Sequence, residues 1–162
     1  MSLTTQQQLV IEQAQRLYDT VDHTGEHLDG KASTVLQAGS LIIALTSATT
    51  LPSLVAGTSA PWVLPGLAGG FLAFIGMTIC AILAWRPADH KLVGEPNWDS
   101  FYDLYISKEK DEAVSQILSN LAASTAHNMT ANERKAHYVA WATWLLVAQV
   151  VGILVIALAS AL

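Results

Sequence analysis

The charged side chains of this sequence are confined to two stretches. No Asp, Glu, Lys or Arg occurs in residues 32–85 or in residues 136–162, and all 21 of them (8 basic, 13 acidic) lie in residues 12–31 or 86–135. A charge at the centre of a bilayer costs at least about 2.5 kcal/mol, so a membrane imposes this kind of segregation. The pattern therefore predicts membrane-spanning helices in the two uncharged tracts.

Three spans fit into these tracts, because a helix needs about 20 apolar residues to cross a bilayer. We place them at residues 33–51, 62–85 and 141–160. Between the first two, the stretch PSLVAGTSAP has the Pro, Gly and Ser content of a short loop. Its first residue, Pro52, is also compatible with the last turn of the first span.

The eight basic residues predict the orientation. Two precede the first span and six lie between the second and third, whereas the first loop and the residues after the third span have none. The positive-inside rule then places the N-terminus and the central segment in the cytosol. We expect a multi-pass protein of a bacterial inner membrane with its C-terminus outside.

The two charged stretches are predicted to form helices. Residues 4–29 carry an apolar stripe at helical spacing, and a second stripe follows within residues 99–137. The predicted fold is an all-α integral membrane protein, one domain over residues 1–162. It has long cytosolic helical extensions, an N-terminal helix over residues 1–31 and a segment over residues 86–138 that leads into the third span.

Composition argues against several functions. A net charge of −5 gives no support for nucleic-acid binding, which needs a basic surface. The single cysteine, Cys80, excludes a disulfide framework or a cysteine zinc site. No P-loop, glycine-rich phosphate fingerprint or Ser-His-Asp order is present. We therefore expect a protein that is not an enzyme and has no cofactor.

One motif suggests a metal site at first sight. The stretch HTGEHLDGKAST begins with H-x-x-E-H, the pattern of inverted zinc proteases, and His23 and His27 would share a helix face. However, Gly25 lies inside the motif and Gly30 follows it, and each costs about 1 kcal/mol of helix stability. The predicted fold also has no cleft for a peptide, so we expect no metal here.

Five polar residues near the predicted cytosolic ends of the spans are candidates for ligand binding. Asp29 and Lys31 precede the first span, and Asn128, Asn132 and Lys135 share a helix face before the third. Lysine and asparagine donors near a phosphate, with aspartate accepting from a ribose or base, would suit a nucleotide. A solvated face at the membrane interface, with Lys31 reaching the headgroups, explains the same residues.

Two motifs resemble a known family. The first is D-x-K-A (Asp29, Lys31, Ala32) at the entrance to the first of two closely spaced spans. The second is YDLY…QILSNLAASTAHNMTANERKAHYVAWATWLL, in which Lys135 shortly precedes the final span. Over about residues 15–155 the chain resembles the PycTM family, the small transmembrane effectors of Pycsar anti-phage defence. That family also contains actinobacterial proteins labelled integral membrane plasmid transfer proteins.

The resemblance implies a signalling role. A partner pyrimidine nucleotide cyclase would make cyclic CMP or cyclic UMP upon infection, and the effector would sense it through its cytosolic part. The membrane part would then impair the inner membrane and cause abortive infection. On this resemblance Asp29 and Lys31 match the first motif and Lys135 the second.

The sequence is compatible with two functions other than signalling. The chain is also compatible with a non-catalytic membrane scaffold or plasmid-transfer accessory that recruits partners through its helices. The third span argues against two-span effectors such as the SLATT proteins. Because spans without charge give a monomer little to conduct through, we expect a homo-oligomer in the lipid bilayer.

Overall fold

A computed structural model describes residues 4–57, 61–86 and 108–161, and the side chains up to residue 158. It contains three helices, α1 (Thr5–Val55), α2 (Val63–Trp85) and α3 (Lys110–Ala161). No strand occurs in the described residues. All three helices are long and apolar enough to cross a membrane, which confirms the predicted all-helical membrane protein.

Helix α1 begins with a capping box. The backbone N–H of Thr4 donates to Oε1 of Gln7 (3.1 Å), and the N–H of Gln7 donates to Oγ1 of Thr4 (3.3 Å). This reciprocal pair satisfies N–H groups that would otherwise have no partner at the helix start. The helix then continues for 51 residues, because nothing before the apolar tract breaks it.

The other end of α1 lies beyond the predicted span. Pro52 is inside the helix, and the N–H of Ala56 still donates to the Pro52 carbonyl (3.0 Å). Gly57 follows with a φ of 67°, a left-handed conformation that a glycine adopts without strain and that commonly ends a helix. The first helix therefore extends four residues past Leu51, the last residue of the predicted span.

Helix α3 joins a charged segment to the third span without a break. It begins at Lys110, and Asp111 and Glu112 in its first turn complement the positive end of the helix dipole. The Nζ of Lys108 lies 2.9 Å from Oε1 of Glu112 and adds an ion pair there. The earlier part of the predicted central segment, residues 87–107, lies outside the described residues.

The chain divides into two compact units. The first comprises Met1–His27 and Pro87–Glu133, and the second comprises Leu28–Arg86 and Arg134–Leu162. Within the first unit α1 and α3 run parallel, since Gln7 bonds to Asp111 near one end (Nε2 to Oδ1, 2.8 Å) and Val21 bonds to Asn132 near the other. Val114 and Leu121 are buried in this unit.

The second unit has a small core made largely of alanine. Ala32 of α1 and Ala84 of α2 are fully buried with Val139 of α3, and Leu28 and Tyr138 pack against them. Small side chains let membrane helices approach closely. Large apolar side chains instead cover the outside of the unit, which in water would be unfavourable and in lipid is normal. Among the exposed ones are Leu41, Leu64, Phe71, Leu72, Ile79, Trp144, Leu154 and Leu158.

Candidate ligand site and buried polar contacts

A partly buried ion pair joins α1 and α3 in the second unit. The Nζ of Lys135 lies 2.9 Å from both carboxylate oxygens of Asp29. The Lys135 side chain is only 9% exposed, whereas that of Asp29 is 40% exposed. Charge-assisted bonds of this length are strong, and the lysine depends on this carboxylate because it has little access to water.

Asp29 also binds α2 through its backbone. The indole N–H of Trp85 donates to the Asp29 carbonyl oxygen (3.1 Å). One residue of α1 therefore contacts both other helices of the unit. Ala32 and Val139 lie about one turn further along α1 and α3 than Asp29 and Lys135, so the pair closes one end of the alanine core.

Lys31 does not take part in this ion pair. It is exposed, and within the described residues it makes no hydrogen bond or ion pair. Residues two apart on a helix point to different sides, so Lys31 cannot share the face that holds Asp29 against Lys135. Of the D-x-K motif, only the aspartate meets Lys135.

The first unit contains a buried asparagine with an incomplete set of hydrogen bonds. The Nδ2 of Asn132 donates to the carbonyl oxygen of Val21 (2.6 Å). Its Oδ1 is buried without a partner among the described residues. Gly25 makes this contact possible, because a Cβ at that position would lie 2.9 Å from Oδ1 of Asn132. Gly25, which weakens the helix locally, therefore leaves room for the asparagine.

The same face of α3 buries more polar side chains. Asn128 is fully buried, and Ser124 and Thr125 are also buried. Asn128 and Asn132 are two of the candidate ligand residues identified from the sequence, whereas Ser124 and Thr125 are not among them. One helix face is marked by residues at intervals of three and four, namely Leu121, Thr125, Asn128 and Asn132. Because three of these four residues are polar, a pattern of apolar residues does not reveal this face.

The zinc motif forms only a local contact. The Nδ1 of His23 lies 3.1 Å from Oε2 of Glu26, and both side chains are mostly exposed. His27 is exposed as well. In the part of the chain that the structure describes, no group of three His, Cys, Asp or Glu side chains could hold a metal ion.

Both motifs lie within the range matched by a known protein family. The PycTM family, described as the Pycsar effector protein domain, matches residues 13–162. This chain belongs to the PycTM family. The resemblance seen in its motifs is thereby confirmed over nearly the whole chain. No curated protein and no solved structure matches it.

Membership of the PycTM family suggests a membrane effector in anti-phage defence. The family is not known to be catalytic, and it implies a cyclic pyrimidine nucleotide signal from a cyclase partner. The predicted site residues of this PycTM protein fall in different units. Asp29 and Lys135 form an ion pair in the second unit, which also contains Lys31, whereas Asn128 and Asn132 are buried in the first.

Two glycines of α1 offer a direct test of the contact with Asn132. Glycine to alanine in a helix is expected to stabilise by about 1 kcal/mol where space allows. Gly30→Ala should show this gain, because a Cβ there meets nothing within 4 Å. Gly25→Ala should not show this gain in stability, since its Cβ displaces Asn132 from the Val21 carbonyl. Thermal unfolding in detergent compares the two, and equal stabilisation would show that Asn132 yields without cost.

Proposed function

We propose that this protein senses cyclic CMP or cyclic UMP through its charged helical segments and responds by impairing the inner membrane. A pyrimidine nucleotide cyclase supplies the signal upon infection, and the outcome is abortive infection. The observation that carries the proposal is the extent of the family match, which includes both the charged segments and the three apolar helices. We therefore assign sensing to the charged segments and the action on the membrane to the apolar helices of the same chain.

The ion pair is the best candidate contact for the phosphate of such a ligand. A phosphate oxygen can replace a carboxylate oxygen on a lysine with the same charge-assisted geometry. Lys135 is held in place and shielded from water, and its partner Asp29 is the more exposed of the two. A ligand can therefore compete for the lysine from the side on which Asp29 is accessible.

Taken within the first unit alone, the buried amides are candidate contacts for a pyrimidine base. The Oδ1 of Asn132 is an acceptor without a donor among the described residues, and Asn128 is fully buried. The amino group of cytosine and the ring N–H of uracil are both donors that such an acceptor can bind. Lys31, which is exposed, is a further candidate contact for a negatively charged ligand.

Signal transmission is proposed to follow α1 and α3. Each helix continues from a charged segment into an apolar one without interruption. A ligand that binds one arrangement of the charged segments better than another shifts the population of that arrangement. In the proposed orientation the N-terminus and the charged segments are cytosolic, the C-terminus is outside, and the chain acts as a homo-oligomer.

Reconstituted protein provides the test. Liposomes containing it are expected to release a trapped dye upon addition of cyclic CMP or cyclic UMP, and not upon addition of cyclic AMP. Lys135→Gln is expected to weaken nucleotide binding at least about tenfold, because one charge-assisted bond contributes about 1.5 kcal/mol or more. Calorimetric titration measures the affinity directly.

The control is the neighbouring cation. Arg134 is exposed, so Arg134→Gln removes the same charge next to Lys135 and should leave the affinity unchanged. If no cyclic nucleotide binds to the wild-type protein, the signalling proposal is wrong. The scaffold or plasmid-transfer role would then be the better account.

A further inference from the structure

A polar side chain is buried in the apolar part of the second unit. Gln149 of α3 is 1% exposed, and its Nε2 donates to the Gly39 carbonyl of α1 over 3.5 Å, a long bond. Its Oε1 is buried with no partner among the described residues. In a bilayer no solvent compensates for such a group, and a buried amide that lacks a partner requires an explanation.

Met77 closes the space around this glutamine. It is fully buried, and a Cβ at Gly39 would overlap its Cε methyl and lie 2.9 Å from its sulfur. The same Cβ would lie 3.4 Å from Oε1 of Gln149. The thioether of α2 therefore occupies the notch that Gly39 leaves in α1, beside the unsatisfied amide.

A cavity of about 450 Å³ lies further along the same unit. It is near the end of α1 at Val55 and the start of α2 at Val63, at the opposite end of these helices from Asp29 and Trp85. Ile153, which lines it, follows Gln149 by one turn of α3. Its lining includes Thr46, Thr49, Thr50 and Ser53 of α1, Val63 of α2 and Ile153 of α3.

Four of the lining residues carry hydroxyl groups, and all four are on α1. Each hydroxyl donates to a carbonyl oxygen of its own helix, as from Thr46 to Ile42 (2.8 Å) and from Thr50 to Thr46 (2.7 Å). A hydroxyl that donates still has lone pairs that accept from water. Most of the lining is apolar, so these four hydroxyls are the places where water would bind, since a lipid acyl chain has no donor for their lone pairs and water has.

We propose that this cavity is a water-filled vestibule on a path for water and small ions through the unit. Gln149 forms the narrow, polar part of this path, which we call the waist, and Met77 closes the path by packing against Gly39. This inference rests on the proposed function for its purpose, since a path through the bundle is how the membrane would be impaired. The unsatisfied Oε1 is then a group that water reaches when Met77 moves out of the notch.

Cysteine labelling tests the vestibule without any nucleotide. In a Cys80→Ala background, Ile153→Cys faces the cavity, whereas its neighbour Leu154→Cys is on an exposed face of the same helix at the same depth. The cysteine thiolate, which forms only where water is present, attacks a charged, water-soluble thiol reagent. We expect labelling of Ile153→Cys to be at least about tenfold faster. Equal rates would mean that the cavity is not filled by water and would overturn the vestibule.

Passive leakage tests the waist and its closure. Met77→Ala is expected to increase the leakage of small ions from liposomes several-fold without nucleotide, because the notch at Gly39 is no longer filled. Adding Gln149→Leu should return leakage to the wild-type level by removing the polar waist. Leakage that persists in the double variant would overturn the role of Gln149, and so would a Met77→Ala variant that does not leak.

These experiments separate the inference from the proposed function. Neither labelling nor passive leakage involves a cyclic nucleotide, so both give a result even if no nucleotide binds. Nucleotide binding together with equal labelling of the two cysteine variants would leave the sensor proposal standing and overturn the path.

Discussion

Replacing Asp29 with alanine is expected to destabilise the protein more than replacing Lys135 with methionine does. Asp29→Ala leaves a lysine whose side chain is only 9% exposed without its counter-ion. Breaking a fully buried pair costs about 3 to 5 kcal/mol, and since Asp29 is partly hydrated we expect about 2 kcal/mol. Lys135→Met keeps the apolar stem and leaves a carboxylate that reaches water, so about 1 kcal/mol or less is expected. Thermal unfolding in detergent measures both.

Lys31 and the double variant are the controls for this asymmetry. Lys31→Ala removes an exposed lysine of the same stretch that has no partner among the described residues, and it should change stability by less than about 0.5 kcal/mol. Asp29→Ala combined with Lys135→Met should be more stable than Asp29→Ala alone, because no charge is left buried. Equal losses for the two single variants would mean that Lys135 reaches water once its partner is removed.

The helices could be predicted because the bilayer acts on composition. Every backbone group must be bonded inside a span, and charges are excluded from it, so an uncharged tract of sufficient length specifies a helix. Composition alone does not specify the residues at which a helix begins and ends. The first helix continues through Pro52 to Val55. A proline at this position removes only one backbone hydrogen bond, and the helix ends within one further turn.

The candidate site could be predicted only in part. Asp29 and Lys135 stand out as charges next to apolar spans, and the structure pairs them. Lys31 has the same sequence signal, but its helix face is different, and the face depends on which helix packs where. Gly25 counts in the sequence as a weakness of the helix, and its close contact with Asn132 exists only in the folded unit.

The contacts among Gln149, Met77 and Gly39 were not predicted, because they also depend on how the helices pack. Gln149 lies in a run of apolar residues with no charged residue nearby, and nothing local distinguishes it from a glutamine at a lipid-facing position. Met77 and Gly39 are both ordinary residues for a membrane helix. Their role depends on the packing of α1, α2 and α3. This packing brings the Gly39 notch, the Met77 thioether and the Gln149 amide together at one level of the bundle.

Replacing Gly39 with leucine is expected to disrupt this level of the bundle. Even the Cβ would overlap Met77, and the larger side chain would also press on the Gln149 amide that bonds to the Gly39 carbonyl. Overpacking a close-packed core costs about 1 to 3 kcal/mol or more. We expect Gly39→Leu to lie at the upper end of that range, because Met77 and Gln149 are both fully buried in the structure. Thermal unfolding in detergent measures the loss.

Gly152→Leu is the matched control, because a Cβ at that position on α3 meets nothing within 4 Å. Its leucine would point to the lipid side, and its stability should not fall below that of the wild type. Adding Met77→Ala to Gly39→Leu empties the volume that the leucine needs, and it should restore about half of the lost stability or more, since volume-conserving exchanges are tolerated best. If Met77→Ala makes Gly39→Leu still less stable, the two residues do not share one site, and Met77 cannot be the group that closes the bundle at Gln149.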